Sequence, residues 1–251
     1  SLIIPEDPVD RARLYYEMGY GAAALQVLDA LSPEQLGKPE IQLLYCRSAE
    51  LTGRMKQAVN AGEKAAKATD GGVRAHAFLC QARAHWGQKE HAPALLNYEA
   101  AVEAAPEELI FRLAYLQALI DLKAREALTK TLGDALAKWP DQPSLLLIQG
   151  LSFEQVGARD KAHALYEKLT GSDAVPAWVE AEAFDRMGLL WIQADPKRAR
   201  EILRRCRTRV PQAACPRTEL ALSPPDPRHP ERRIRNVTRP GRYGDTPLPP
   251  P

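Results

Sequence analysis

Residues 156–169, VGARDKAHALYEKL, and residues 52–65, TGRMKQAVNAGEKA, share one pattern of glycine, basic turn and alanine. In both stretches the alanine comes five residues after the glycine, and small or apolar residues follow it by four and by seven. Offsets of zero, four and seven lie on one face of a helix. Each stretch therefore predicts a turn followed by a helix with one buried stripe.

The same alanine position recurs along the chain with a period close to 34 residues. Its successive occupants, at steps of 34, 36, 34, 34 and 37 residues, are Ala24, Ala58, Ala94, Leu128, Ala162 and Ala199. Prolines, which stop or start helices, stand near the unit boundaries at Pro39, Pro106, Pro140, Pro143, Pro176 and Pro211. The chain therefore repeats one helix–turn–helix unit six times.

This repeat resembles that of the tetratricopeptide family, which has two helices, a glycine turn and an alanine in each unit. The fifth unit carries the closest match, at Gly150, Phe153, Gly157, Ala162, Tyr166 and Leu169. The third and fourth units depart from the pattern, because Gly87 stands seven residues before Ala94 and Lys123 replaces the turn glycine. The resemblance covers roughly residues 6–211 and implies an all-α fold, a right-handed superhelical solenoid of about six repeats.

Charge and proline content change towards the carboxyl end of the chain. Residues 197–251 carry 14 Lys and Arg against 5 Asp and Glu, whereas residues 1–196 carry 20 against 27. Eleven of the 21 prolines lie at or after Pro211. Such a segment cannot bury a core and favours extended structure. We therefore expect a solenoid over residues 1–211 and a basic, proline-rich tail over residues 212–251.

The four cysteines fall into two pairs. Cys206 and Cys215 are nine residues apart across the end of the last predicted helix, so a disulfide there would join the tail to the solenoid. Cys46 and Cys80 occupy equivalent places in neighbouring units, and packed helix axes lie about 8–10 Å apart. That separation favours two reduced, buried thiols over a bond.

Motifs for catalysis, metals and cofactors are missing from the sequence. It contains no Ser/His/Asp set, phosphate loop or paired carboxylates that can be named, so we expect no enzyme activity and no small-molecule substrate. Cys80, His85 and His91 lie close together but lack metal-ligand spacing, so we expect neither metal nor cofactor. No apolar run approaches the ~18–20 residues of a membrane span.

Nucleic acid is a disfavoured partner. The run KRAREILRRCRTR, residues 197–209, is strongly basic, and a basic helix face is one footprint of nucleic-acid binding. A helix of this composition also needs a solvated side, and no aromatic residues for base stacking are interleaved. We interpret it as a capping helix or a partner site.

The resemblance implies that the first helix of each unit lines a concave face. In the family's register, one apolar position on that face is occupied by Val9, Leu43, Ala77, Leu113, Leu147 and Phe184. Nearby positions on the same face hold Arg13, Arg47, Glu50, Gln81, Gln117, Leu151, Glu154 and Trp191. Two interpretations stay open. These residues form a groove for an extended peptide or amphipathic helix, or the register is shifted by one and some of them are core.

Together these observations predict a protein–protein interaction scaffold or assembly adaptor that binds a partner peptide or helix in its concave groove. Its partners would be proteins, in a multi-subunit assembly. The alternative is a permanent structural subunit of a large complex, anchored through its C-terminal tail. The chain begins at Ser1 rather than Met and resembles periplasmic and outer-membrane-associated assembly factors. We therefore expect an extracytoplasmic location, with the cytoplasm as the alternative.

Overall fold

A computed structural model describes residues 4–211, 215, 217 and 218. The secondary-structure elements assigned within those residues are all helices. The elements are α1 (Pro8–Glu17), α2 (Gly21–Asp29), α3 (Pro33–Leu36), α4 (Pro39–Leu51), α5 (Met55–Ala65), α6 (Gly71–Gly87), α7 (His91–Ala104), α8 (Leu109–Asp121), α9 (Arg125–Lys138), α10 (Pro143–Gln155), α11 (Arg159–Lys168), α12 (Ala177–Trp191) and α13 (Pro196–Arg209). The predicted all-α repeat fold is confirmed.

The helices follow one another as six pairs, with the short α3 between the first pair and the second. Each repeat has a first helix (α1, α4, α6, α8, α10 and α12) and a second helix (α2, α5, α7, α9, α11 and α13). A first helix packs against its own second helix and against neighbouring repeats. For example, α4 contacts α5 within its repeat, α1 and α2 before it, and α6 after it. This is the packing of a tetratricopeptide-like repeat.

By internal contacts the chain divides into two compact units, Ser1–Tyr115 (unit 1) and Leu116–Pro251 (unit 2), with the boundary inside α8. One core cluster of unit 1 is built mainly from small side chains, such as Ala58 and Ala84 packed near Leu25. Unit 2 has larger ones, with Tyr166 and Phe184 in a single cluster. Alanine-rich cores let helices approach closely, whereas large side chains must interdigitate.

The second helices have the predicted register. The alanine position is fully or almost fully buried in all six repeats, at Ala24, Ala58, Ala94, Leu128, Ala162 and Ala199. Four residues further on, the position is also buried throughout, at Leu28, Gly62, Tyr98, Leu132, Tyr166 and Leu203. The periodicity of the sequence therefore identified the buried stripe of each second helix.

The turns between the paired helices share a left-handed residue in the first five repeats. It stands five residues before the alanine position, at Gly19, Gly53, Lys89, Lys123 and Gly157. The amide of the residue after the left-handed one donates to the carbonyl of the residue five positions before it. In the fifth repeat this bond runs from Ala158 N to Phe153 O at 2.9 Å. This is the hydrogen bond of the Schellman motif. The third repeat obeys the same spacing through Lys89, and Gly87 is the last residue of α6.

Contact between the two helices of the fifth repeat requires a glycine. A Cβ at Gly150 in α10 would overlap the ring of Tyr166 in α11. The Tyr166 side chain is fully buried and its hydroxyl donates to a Glu154 oxygen. The small residue in the first helix therefore makes room for the aromatic residue of the second.

Both cysteine pairs form disulfides. Cys206 and Cys215 are bonded, with Cα atoms 6.5 Å apart. Cys46 and Cys80 are also bonded, with Cα atoms 6.4 Å apart, so the expectation of two reduced thiols was wrong. That expectation used the distance between helix axes, but Cα atoms that face each other across an interface lie much closer than the axes do.

The packed part of the chain extends past the boundary predicted after residue 211. Cys215 and Thr218 are buried, and Thr218 donates from its amide to Asp185 of α12 at 2.8 Å. Its side chain fills the space above Gly188, where a Cβ would collide with it. The boundary was therefore drawn too early. The rest of the predicted tail lies outside the described residues.

Candidate functional site

The structure buries most of the apolar positions predicted to line a groove. Leu43 and Ala77 belong to a core cluster of unit 1, and Leu147 and Phe184 to the core of unit 2. Val9 and Leu113 are half-buried. The groove interpretation was wrong for the four buried residues, because on α4, α6, α10 and α12 this position faces neighbouring helices rather than solvent.

Several of the polar and flanking positions are also core. Gln81, Gln117 and Leu151 are buried, and Gln117 donates to Asp121 one turn further along α8 at 2.8 Å. Their side chains are withdrawn from the surface that a partner could reach. The prediction of a continuous binding face therefore fails at these three residues.

In the third repeat the predicted first-helix position lies two residues too early in the sequence. Counting back from the buried alanine position, Arg13 and Arg47 stand 11 residues before Ala24 and Ala58. The same offset from Ala94 gives Arg83, not Gln81. The sequence did carry the signal, since the step from Ala58 to Ala94 is 36 residues rather than 34. Arg83 was missed because the first helix of the third repeat was placed 34 residues after that of the second, and the two extra residues were assigned to the fourth repeat.

Corrected in this way, the register places an arginine at one position of three consecutive first helices of unit 1. Arg13 on α1 is exposed and pairs with Asp10 at 3.4 Å. Arg47 on α4 and Arg83 on α6 are half-buried. Among the described residues, neither of these two forms a hydrogen bond or a salt bridge within 4.0 Å. We call Arg47, Arg83, Glu50 and His76 the charged face of unit 1.

Burial governs the electrostatics of the charged face. It lowers the pKa of the Arg47 guanidinium, and the nearby Arg83 acts in the same direction. Burial likewise raises the pKa of the Glu50 carboxyl, against the opposing effect of Arg83 and Arg47. For His76, burial together with Arg47 and Arg83 lowers the pKa to about 4. The imidazole is therefore neutral near pH 7, and the face carries two positive charges and one negative charge.

His76 is held in place by an aromatic neighbour. Its ring meets that of Phe111 edge to face, with centroids 5.0 Å apart. Contacts of this kind orient a ring without saturating its nitrogens. A neutral imidazole can donate one hydrogen bond and accept another.

The predicted site residues of unit 2 are already engaged. Glu154 accepts hydrogen bonds from Arg186 at 3.2 Å and from the Tyr166 hydroxyl. The indole of Trp191 lies 3.9 Å from the Arg198 guanidinium carbon, and its N–H donates to His163 at 3.1 Å. Glu154 and Trp191 therefore stabilise the packing of unit 2 and have little capacity left for a partner.

The described part of the chain contains neither a cluster of metal ligands nor a helix that could span a membrane. No three or more His, Cys, Asp and Glu side chains there come together as ligands. The Cys80 sulfur is bonded to that of Cys46 in a disulfide and is not available as a ligand. None of the described helices combines the length and the apolar character needed to cross a bilayer.

Comparison with known proteins gives similarity in fold alone. No family model and no curated protein matches the sequence. A solved structure of Naa15/Naa10 bound to HypK-THB has a TM-score of 0.48 and 14% identity over 86% of this chain and 33% of its own. A structure described as a thermophilic TPR protein in Thermus thermophilus has a TM-score of 0.45 and 19% identity over 79% of this chain and 96% of its own. The present chain thus spans about a third of the length of the first.

Proposed function

We propose that this chain is a non-enzymatic protein-interaction scaffold, an assembly adaptor that holds a peptide or helix of a partner against the charged face of unit 1. One observation carries the proposal. Arg47, Glu50 and Arg83 are half-buried charges on adjacent first helices, and among the described residues none of their side chains forms a hydrogen bond or an ion pair within 4.0 Å. Glu50 offsets the two arginines at longer range, so one positive charge on this face is unbalanced. Charges that are partly withdrawn from water are normally paired.

The arrangement defines the chemistry of the partner. A carboxylate placed between Arg47 and Arg83 would form charge-assisted hydrogen bonds with both guanidinium groups. Glu50 would accept from a donor on the same segment, such as a lysine or a backbone amide. Because water is already partly excluded, these bonds would be stronger than their equivalents on an open surface. A segment of mixed charge therefore fits this face best.

The test is affinity capture from the source organism with three forms of the full chain. The Arg47→Gln/Arg83→Gln variant removes both guanidinium groups. The Lys64→Gln/Lys67→Gln variant removes the same charge from exposed positions of unit 1 and serves as the matched control. We expect a partner retained by the wild type and the control, and retained roughly tenfold less by the arginine variant.

Retention of the same proteins in the same amounts by all three forms would contradict the proposal. Thermal unfolding of each form, followed by circular dichroism, shows whether a loss of binding reflects a loss of fold. The arginine variant removes two charges that repel each other, but it also leaves the half-buried Glu50 without the two arginines that oppose its burial. Binding is therefore compared only at a temperature where all three forms are folded.

We further propose an extracytoplasmic location. Its support is the pair of disulfides, Cys46–Cys80 and Cys206–Cys215, since such bonds persist mainly in oxidising compartments. The measurement is mass spectrometry of protein from its native source after alkylation of free thiols. We expect no alkylated cysteine among the four. Four alkylated cysteines would place the protein in a reducing compartment instead.

A further inference from the structure

Unit 2 contains an open cleft of about 710 Å³. It lies where the turns that precede α9 and α11 meet the C-terminal half of α12. Its volume falls within the range of ~300–1,000 Å³ that is usual for ligand sites. Of the residues predicted from the sequence to bind a partner, Glu154 alone lines this cleft.

Positive charge surrounds the cleft. Lys123, Arg125 and Arg159 line it and are exposed. None of the three pairs with a carboxylate within 4.0 Å among the described residues. The lining includes one carboxylate, Glu154, and the nearby Arg186 already neutralises it at 3.2 Å. The cleft therefore has an unbalanced positive charge.

The backbone adds to that charge. Helices α9 and α11 both begin at the cleft, and neither has a side chain that caps its first amides. The acidic residues of their first turns, Glu126 and Asp160, do not line the cleft. The first amides, Arg125 N and Arg159 N, already donate to the carbonyls of Lys123 and Gly157. The backbone therefore contributes through the positive end of each helix dipole, which favours negative charge.

The floor of the cleft is apolar. Leu189, Leu190 and Ile192, near the end of α12, line it and are half-buried. An occupant can therefore remove apolar surface from water as well as neutralise charge. No described lining residue is aromatic, so the cleft offers no stacking platform of the kind that single-stranded nucleic acids use.

We propose that this cleft binds an acidic protein segment in which an apolar side chain lies between carboxylates. The carboxylates would pair with Lys123 and Arg159, and the apolar side chain would cover Leu189 and Ile192. Arg125 contributes charge, while its hydrogen bond to the Gln155 carbonyl at 3.3 Å holds the turn. The site lies wholly within unit 2 and does not depend on the charged face of unit 1.

A defined peptide pool provides the test. The pool contains ten-residue synthetic peptides in which Asp or Glu alternates with Leu, Ile or Phe, and a second pool replaces Asp and Glu with Asn and Gln. The full chain is immobilised as wild type, as Lys123→Gln/Arg159→Gln, and as a control, Lys130→Gln/Arg200→Gln. The control removes the same charge from exposed positions of unit 2 that are outside the cleft.

We expect the wild type and the control to retain the acidic pool, the cleft variant to retain about tenfold less, and raised salt to weaken retention. A Leu189→Ala variant should lower retention as well. Equal retention by the cleft variant and the control, or equal retention of the two pools, would overturn the proposal. So would cleft-dependent retention of a labelled single-stranded RNA with none of the acidic peptides.

Discussion

At the scale of single residues, the turns show how a repeat tolerates an unfavourable side chain. The left-handed position is glycine in the first, second and fifth repeats, but Lys89 and Lys123 occupy it with φ of 64° and 55°. A side chain with a Cβ is strained there by about 1–2 kcal/mol. The neighbouring helices supply enough packing energy to impose this conformation.

Replacing Lys89 by glycine is expected to stabilise the chain by about 0.5–1 kcal/mol, after allowance for the greater flexibility of glycine in the unfolded state. Lys89 is exposed and does not line the cleft of unit 2, so binding there should be unaffected. The measurement is the urea midpoint of unfolding. Gly157→Ala is the reciprocal control and should lower the midpoint by a similar amount. A lower midpoint for Lys89→Gly would show that the turn is not strained.

Ala162 reports on the contact between paired helices. It is fully buried at the alanine position of α11, whereas Ala164, two residues on, is exposed. Ala162→Leu is expected to overpack the contact and lower the free energy of unfolding by roughly 1–3 kcal/mol. Ala164→Leu, with the same change of volume, should alter it by less than about 0.5 kcal/mol. Equal effects of the two substitutions in urea unfolding would mean that the repeat register is wrong.

At the scale of elements, α12 differs from the other first helices because two of its carboxylates, Glu180 and Asp185, are buried. Arg186 pairs with Glu182 at 3.1 Å and with Glu154 at 3.2 Å. Beyond the end of α13, Arg217 binds Glu182 and Asp185. The segment that follows α13 thus supplies the counter-charge that allows α12 to be buried on more than one side.

This network makes stability depend on pH. Burial alone would raise the pKa of the Glu182 carboxyl, but Arg217 and Arg186 hold it below its ordinary value of 4.5. Because the folded pKa lies below the unfolded one, the ionised group stabilises the fold above about pH 4.5. That contribution is lost as the pH falls through the folded-state pKa.

Arg217→Gln is expected to lower the free energy of unfolding by about 3 kcal/mol at pH 7, because the buried Asp185 carboxylate loses its ion-pair partner and Glu182 keeps only Arg186. Its acid-unfolding midpoint should move to higher pH, since burial is then less well opposed. Arg217→Lys should recover part of both effects, and Arg200→Gln, which changes an exposed arginine, should have neither. The measurements are urea and acid titrations. An unchanged acid midpoint for Arg217→Gln would exclude the network as the cause.

At the scale of the whole molecule, the chain divides by internal contacts into two compact units, and the described residues beyond α13 belong to the second. Unit 2 includes Cys215, Arg217 and Thr218, and the Cys206–Cys215 bond ties these residues to α13. The proline-rich sequence that begins at Pro211 therefore starts within the packed part of unit 2.

A chain that ends at Pro211 is therefore expected to lose protection against hydrogen exchange in α12, compared with a chain that ends at Thr218. The shorter chain lacks both the disulfide and Arg217, each worth about 3 kcal/mol. Cys206→Ala in the longer chain removes the disulfide alone and should give an intermediate result. Equal protection of α12 in all three chains would show that residues 215–218 do not stabilise unit 2.

The sequence by itself determined the local structure of this protein. The alanine or leucine that recurs every 34–37 positions, and the small or apolar positions that follow it, are properties of one helix and its turn. Helical periodicity expresses them directly. Ala162, Tyr166 and Leu169 were therefore identified as buried without reference to other repeats. Arg47 and Glu50 were likewise placed on the correct helix, and the sequence paired Cys206 with Cys215 across a single helix end.

Tertiary structure decided which of these side chains are buried, bonded or exposed. Leu147 and Phe184 are core because of neighbouring helices that periodicity does not locate. The Cys46–Cys80 bond depends on a Cα separation across an interface of 6.4 Å. The sequence places Arg83 at the position of Arg47 once the 36-residue step is used, but only the packed structure shows that its side chain has no ion pair within 4.0 Å among the described residues. Contacts between repeats are set by the distances and rotations of packed helices, and a single helix does not encode these.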